Sequence, residues 1–319
     1  MKQSDDLIAM RVADVELLSP SLKRFRLVPL GGELLVPVGA GAHLQVSMRE
    51  GERVYKNAYS LVSTPGERRH YEIVVRRVVD SRGGSAFMHD AVSVGTLLHV
   101  SAPRNLFPIH RTAPKHLLIA GGIGITPFLS YLDELTRIGA THELHFCSRE
   151  EEVQCFDGWF EGRDTVAIYT ETPGNQLDFD ELLSTQLVGT HLYVCGPGPM
   201  MDAVLHIAES KGWAPSTLHS ERFGAGIVGE GRPFTARLER TGVDIHVPAN
   251  TSLLDAIEAA GIEAPCLCRG GACGQCRTTV IEGDIDHRDH FLSASEKAAG
   301  EQIMLCVSRA CNERIVLDL

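Results

Sequence analysis

Four cysteines near the end of the 319-residue chain carry its strongest chemical signal. Cys268, Cys273 and Cys276 stand in the spacing C-x4-C-x2-C, and Cys306 follows after 29 intervening residues. That is the spacing of a plant-type loop holding a 2Fe-2S cluster. Such a loop turns backbone amides toward sulfur, and Gly270, Gly271 and Gly274 stand where side chains would obstruct the approach. Four thiolates also bind zinc, but zinc sites usually pair two C-x2-C knuckles, whereas three ligands are crowded here and the fourth is distant. Disulfides are disfavoured by the odd count of nine cysteines and by a chain long enough to build cores without staples. Cys147, Cys155, Cys195, Cys266 and Cys311 remain, and most read as buried free thiols, with Cys266 a bystander beside the ligands; the segment from Arg269 to Ala272 is expected near the cluster and partly exposed.

Two glycine-rich turns form a second set of chemical residues. In Gly121-Gly122-Ile123-Gly124-Ile125-Thr126-Pro127 a short apolar strand runs into a turn and then a helical pattern, a place for a pyrophosphate. The pattern G-x-G-x-x-P fits the usual dinucleotide fingerprint only in part. Earlier, Ser81-Arg82-Gly83-Gly84-Ser85 precedes Ala86-Phe87-Met88-His89, with Ser85 placed to cap a short helix, a cradle for an anion; most such segments are simple turns. Cys195-Gly196-Pro197 ends a further strand, where ligands sit in open α/β sheets, although a tight turn explains it equally. Lys56-Asn57-Ala58-Tyr59-Ser60 sets an aromatic beside a hydroxyl on a strand.

These residues need three kinds of scaffold. Alternating runs at 10–17, 25–28 and 71–75, punctuated by Gly and Pro, predict an antiparallel β-barrel over residues 1–110. Strands and helices alternate over 111–226, which predicts a parallel-sheet nucleotide-binding domain. Residues 227–233 read as a linker, and 234–319 as a β-grasp, plant-type ferredoxin domain with a helix over 252–260 ahead of the cluster loop. No apolar run is long enough to span a bilayer and the first residues lack a signal-peptide core, so a cytoplasmic location is expected. The net charge of -11 argues against a nucleic-acid partner and is compatible with docking on a basic protein surface.

The order of barrel, nucleotide domain and cluster domain resembles the phthalate dioxygenase reductase family, the one-chain reductases of Rieske oxygenase systems, which includes vanillate demethylase reductases. Segments 81–85, 103–108, 121–127, 219–225, 286–289 and 306–310 look like that family's. The resemblance implies FMN in the first domain: Tyr59 against the ring, Ser60 near its N5, Val74, Val75 and Arg76 along the other edge, and Arg82, Gly83, Gly84 and Ser85 at the phosphate, with Thr126 nearby. It implies NADH on Gly121, Gly122, Gly124, Thr126 and Pro127, with Ser148 and Arg149 near the adenosine ribose, and with Cys195, Gly196 and Pro197 framing the nicotinamide. Phe223 matches the aromatic that shields the flavin. One position departs: the arginine of the family's R-x-Y-S is Asn57 here, leaving neighbouring Lys56 or Arg76 to supply the charge.

NADH gives up two electrons together as hydride and an iron–sulfur cluster takes one at a time, so a flavin between them is the required converter. Hydride transfer obliges no side-chain acid or base, and His89, His110 and His219 read as structural rather than catalytic. Three carboxylates, Glu150, Glu151 and Glu152, follow Arg149 and would repel a 2'-phosphate, favouring NADH over NADPH. The partner implied is an oxygenase component. Alternatives are a separate ferredoxin or a diiron hydroxylase as acceptor, or a non-catalytic redox sensor, which the absence of a basic DNA-binding element disfavours.

Overall fold

The computed structural model describes residues 7–51, 53–78, 83–223 and 231–319, which fall into two compact units, Met1–Arg222 and Phe223–Leu319. Arg82 and most of the expected linker lie outside the described residues.

The first unit begins with β1 (Ile8–Ser19), β2 (Leu22–Pro29), β3 (Ala42–Glu50), β4 (Arg53–Ser60), β5 (Tyr71–Arg76), helix α1 (Gly84–Asp90), β6 (Leu97–Val100) and β7 (Arg104–Asn105). The antiparallel order β4-β3-β6-β1-β2-β5 is closed into a barrel by the Leu61–Ile73 bridge, with β7 paired to β3. Leu44, Val46 and Met48 on β3 face the barrel core with Val75 and Met88, so the alternate residues His43, Gln45 and Ser47 face the other way.

There follow β8 (Lys115–Gly121), α2 (Thr126–Arg137), β9 (His142–Cys147), α3 (Glu150–Val153), α4 (Asp157–Phe160), β10 (Val166–Tyr169), α5 (Phe179–Ser184), β11 (Thr190–Cys195), α6 (Gly198–Ser210) and β12 (Leu218–Glu221). They form a parallel sheet in the order β10-β9-β8-β11-β12. β8 and β11 are near-continuous apolar runs, as strands covered on both faces must be. Leu22, Ala40, Val62, Val74 and Phe107 of the barrel layer share one core with Leu118, Phe128 and Tyr131 of the sheet layer, so the two pack as one body.

The second unit contains β13 (Phe234–Leu238), β14 (Val243–Val247), α7 (Leu253–Ala259), β15 (Arg277–Glu282), β16 (Ile285–Asp286), α8 (Ala294–Ala299), β17 (Gln302–Met304), β18 (Arg309–Ala310) and β19 (Arg314–Leu317). Its main sheet runs β14-β13-β19-β15-β17, with β13 and β19 parallel, around α7: a β-grasp. Ser252 caps α7 by accepting from the Asp255 amide at 3.0 Å. Arg309, 1% exposed, ties this unit's first residues inward, donating to the carbonyls of Thr251, Pro248 and Arg232 while its guanidinium lies over Phe234.

Candidate functional site

In the second unit the loop between α7 and β15, with Cys306 just after β17, arranges the four expected ligands as two pairs. Cys276 and Cys306 are both buried with sulfurs 3.1 Å apart, and Cys268 and Cys273, both partly exposed, are joined by a thiol hydrogen bond. Among the described residues no group of three or more His, Cys, Asp or Glu side chains is gathered around a single point. Two pairs are what a two-iron cluster asks for. The hydrogen bond from Cys273 pushes Cys268 down to about 5, helped by the amides of Gly270, Ala272 and Cys273, while Cys273 itself is pushed up. In the same way Cys306 lowers Cys276 and is raised in return. The loop therefore stabilises thiolate sulfur with its own backbone. The Gly270 amide reaches Cys268 Sγ at 3.4 Å, and a Cβ on Gly271 or Gly274 would strike Val307 or the Phe291 ring at 2.7 and 2.3 Å.

Arg269 departs from the expectation of a partly exposed segment near the cluster. It is 5% exposed, has φ +52°, and turns onto α7, where it donates to Asp255 at 2.8 Å and to both oxygens of Glu258 at 2.6 and 2.7 Å. Cys266 is raised to about 12, chiefly by burial, an inert thiol.

In the first unit, β4 carries Tyr59 and Asn57 on one face and Ser60 and Lys56 on the other. Asn57 donates to the Tyr59 hydroxyl at 3.1 Å and lies against Gly84, where a Cβ would come within 2.7 Å of its amide nitrogen. The residue at the departing position thus braces the aromatic ring, and exposed Lys56 stands on the face opposite Tyr59. Gly83, not Ser85, caps α1, in the left-handed conformation with φ +103°. Ser85 is the second residue of the helix and accepts from the Val78 amide at 3.2 Å. On its outer face β4 places Ser60 opposite His43 of β3. Ser60 Oγ and both ring nitrogens of His43 are buried without a hydrogen-bond partner among the described residues, and His43 Nδ1 lies 3.8 Å from Glu221. Burial, with the Arg104 charge second, pushes His43 down to about 4, so it is neutral. Buried polar atoms left without protein partners fit a ligand with a hydrogen-bonding edge, and a flavin has one.

The adjoining cleft, about 620 Å³, is lined by Arg76, Gly121, Gly122, Ser148, Arg149 and Pro197 among others. Gly124 lies beneath it: a Cβ there would fall 2.3 Å from the Cys195 carbonyl oxygen, so only glycine lets this turn approach the end of β11. Thr126, 2% exposed, donates back to the Ile123 carbonyl at 3.0 Å, and Pro127 is buried at the start of α2; both shape the turn rather than line the cleft. Cys195 is fully buried and, by burial and then Glu221, raised well above a free thiol. Of the three carboxylates after Arg149, Glu150 and Glu151 are exposed outside the lining and Glu152 turns to Arg76. The acid facing Arg149 is Glu171, at 3.7 Å, at the end of β10. Nothing in its sequence context signals it; only the parallel pairing of β9 with β10 brings it there.

His89 is structural, its Nε2 2.9 Å from the Val75 carbonyl. His110, His191, His219 and Tyr193 form a stack at the opening strands of the sheet, with His191 Nδ1 2.9 Å from His219 Nε2. Phe223 is 41% exposed.

A flavin-type barrel packed on a parallel nucleotide sheet, together with a β-grasp unit carrying two thiol pairs, defines a one-chain iron–sulfur oxidoreductase. The 2Fe-2S iron-sulfur cluster binding domain family matches residues 236–311. A heme-dependent oxidative N-demethylase beta subunit from Ectopseudomonas mendocina (strain ymp) is 43% identical over 98% of this chain and 99% of its own. A vanillate O-demethylase oxidoreductase from Pseudomonas sp. (strain HR199 / DSM 7063) is 39% identical over 98% of this chain and 100% of its own. The solved phthalate dioxygenase reductase, described as a modular structure for electron transfer from pyridine nucleotides to 2Fe-2S, superposes with a TM-score of 0.83 at 36% identity, covering 99% of both chains. The chain belongs to the phthalate dioxygenase reductase family of oxygenase reductases.

Proposed function

We propose that this chain oxidises NADH and delivers electrons singly, through FMN and a 2Fe-2S cluster, to an oxygenase component. The observation that carries this reading is the two-by-two thiol arrangement in a fold that also provides a coenzyme cleft. Bound FMN supplies the conversion between hydride and single electrons. The residues do the positioning. Tyr59, braced by Asn57, presents a flat face for the ring, and Ser60 offers a buried hydroxyl at its edge. Gly83, Gly84 and Ser85 offer main-chain groups for the phosphate, with Arg82 as the expected charged partner. Gly121 and Gly122 receive the coenzyme diphosphate, and Pro197, which lines the cleft just after β11, closes the nicotinamide end, with buried Cys195 and then Gly196 as the turn behind it. Phe223 is the aromatic assigned to covering the flavin.

Cys268 and Cys273, the partly exposed pair, form the side of the cluster from which electrons leave; Cys276 and Cys306 form the buried side. Glu171 beside Arg149 supports NADH over NADPH, because the carboxylate both neutralises Arg149 and repels a 2'-phosphate. Among the described residues no helix is long and apolar enough to cross a membrane, and reduced thiols suit the cytoplasm, where we place it.

The test is NADH-dependent reduction of cytochrome c and of ferricyanide. Cys306→Ser is expected to abolish the first, with loss of cluster absorbance, and to keep the second through the flavin. Equal cytochrome c turnover in the variant overturns the assignment, and absence of sustained turnover in the wild type favours the sensor reading. The expected acceptor is a Rieske oxygenase, as the family resemblance implies; the relatives named for a vanillate O-demethylase and a phthalate dioxygenase support an oxygenase as partner. The relative named as the beta subunit of a heme-dependent oxidative N-demethylase favours a second reading, a heme-dependent demethylase as acceptor. The visible spectrum of the co-purifying acceptor separates the two.

A further inference from the structure

Arg76 ends β5, yet its side chain leaves the barrel and reaches across to the sheet layer. There one guanidinium nitrogen donates to Glu152 at 2.5 Å, and Glu152, 8% exposed, also accepts from Ser148 Oγ at 3.1 Å. The guanidinium lies against the glycine turn: a Cβ on Gly122 would stand 3.3 and 3.4 Å from its two terminal nitrogens. Its Nε is buried and has no hydrogen-bond partner among the described residues. The other arginines lining the cleft are committed elsewhere, Arg77 to Asp90 on α1 at 2.8 Å and Arg149 to Glu171 at 3.7 Å. An anion seated on the Gly121-Gly122 turn would meet the Glu152 carboxylate uncompensated unless Arg76 stood with it, and Coulomb repulsion inside a partly dry cleft is large.

We infer that Arg76 is a ligand of the coenzyme's diphosphate and not of the flavin, held in that role by Glu152 and Ser148. This rests on reading the cleft as the coenzyme site. The planar fork spends one arm on the carboxylate that orients it and keeps its remaining donors for a phosphate. Arg76 thereby lies where the barrel and the nucleotide layer meet at the cleft, a cation contributed by one layer to the ligand of the other.

The experiment uses the full-length protein with ADP-ribose, which carries the diphosphate, and adenosine, which does not, both titrated by ligand-observed NMR. Arg76→Gln is expected to weaken ADP-ribose by about ten- to a hundredfold. Adenosine affinity and the flavin content of the purified protein are expected to stay unchanged. Loss of flavin with ADP-ribose affinity intact overturns the inference, and so does equal weakening of both ligands, the mark of a merely structural role. Should Arg76→Gln fail to fold, Arg76→Lys keeps the charge without the fork. It is expected to weaken ADP-ribose severalfold with adenosine unaffected, and wild-type affinity for both overturns the inference. If the wild type binds no ADP-ribose, the coenzyme reading itself fails, an outcome distinct from all of these.

Discussion

The cluster loop and the cleft proposed for the coenzyme place their lining residues by opposite means. In the loop, three ligands lie within nine consecutive residues, the backbone amides point at their own sulfurs, and a single arginine straps the segment to the helix before it. In the cleft, much of the lining comes from the ends of β5, β8, β9, β10 and β11, and its charged residues come from three separate segments: Arg76 and Arg77 at the end of β5, Arg149 and Glu152 after β9, and Glu171 after β10. A contiguous site depends on local geometry. A distributed one depends on the register of a whole sheet, and so tolerates single changes at its rim while resisting change in its strands.

The sharpest way to break this comparison is Arg269→Ala. Arg269 is buried against two carboxylates, and removing one member of such a group costs about 3–5 kcal/mol because the remaining charges are left unpaired. The expected outcome is a purified protein with most of its iron lost but ADP-ribose affinity retained. Both tryptophans, Trp159 and Trp213, belong to the unit Met1–Arg222, so its fluorescence melting curve should be unchanged. Iron content equal to the wild type would show that the ligands hold the loop without the strap.

The same contrast governs what could be read from the chain alone. Cysteine spacing singled out four cysteines that the structure brings together in two pairs, and hydrophobic periodicity located β8, β10, β11, β13 and α7 to within a few residues, because those signals are local. Arg269 was expected in a partly exposed segment near the cluster and is buried instead, since spacing carries no information about a left-handed φ or about partners on a preceding helix. Ser85 looked like a cap because it follows two glycines; the helix starts at Gly84, two residues earlier than a Ser85 cap implies, and Gly83 takes the position. Glu171 was not singled out at all. It is 22 residues from Arg149 and becomes its neighbour only when β10 pairs with β9. Glu152, read as one of three carboxylates repelling a 2'-phosphate, turns out to face Arg76 instead.

Glu171 provides a smaller test on the distributed side. Both partners are largely exposed, so the pair itself adds little stability, and its role is to set the charge near the ribose. Glu171→Gln should raise the affinity for 2'-phospho-ADP-ribose relative to ADP-ribose by up to about tenfold, by relieving roughly 1.4 kcal/mol of repulsion. Iron content should not move. An unchanged ratio would mean that the discrimination against a 2'-phosphate lies elsewhere in the cleft.

The smallest expected effect concerns the sheet that positions the cleft. His219 on β12 is held between His191 and the Tyr193 ring, whose centroid is 4.4 Å away, and burial, then His191, His110 and His116, push it down to about 4. An unfolded histidine titrates near about 6.5. Between these values the unfolded chain binds the extra proton, so stability is present above about pH 6.5 and is lost as pH falls toward about 4. His43, also pushed down to about 4, adds in the same direction. His219→Asn keeps a hydrogen-bonding side chain toward His191 but removes the titration. Followed by tryptophan fluorescence, the wild type should lose melting temperature between about pH 7 and pH 5. The variant should lose less, by a difference of a few degrees, while cluster content at neutral pH stays the same. Parallel pH profiles would show that the imidazole stack carries no acid sensitivity, and that the strands beneath the cleft are held by their apolar core alone.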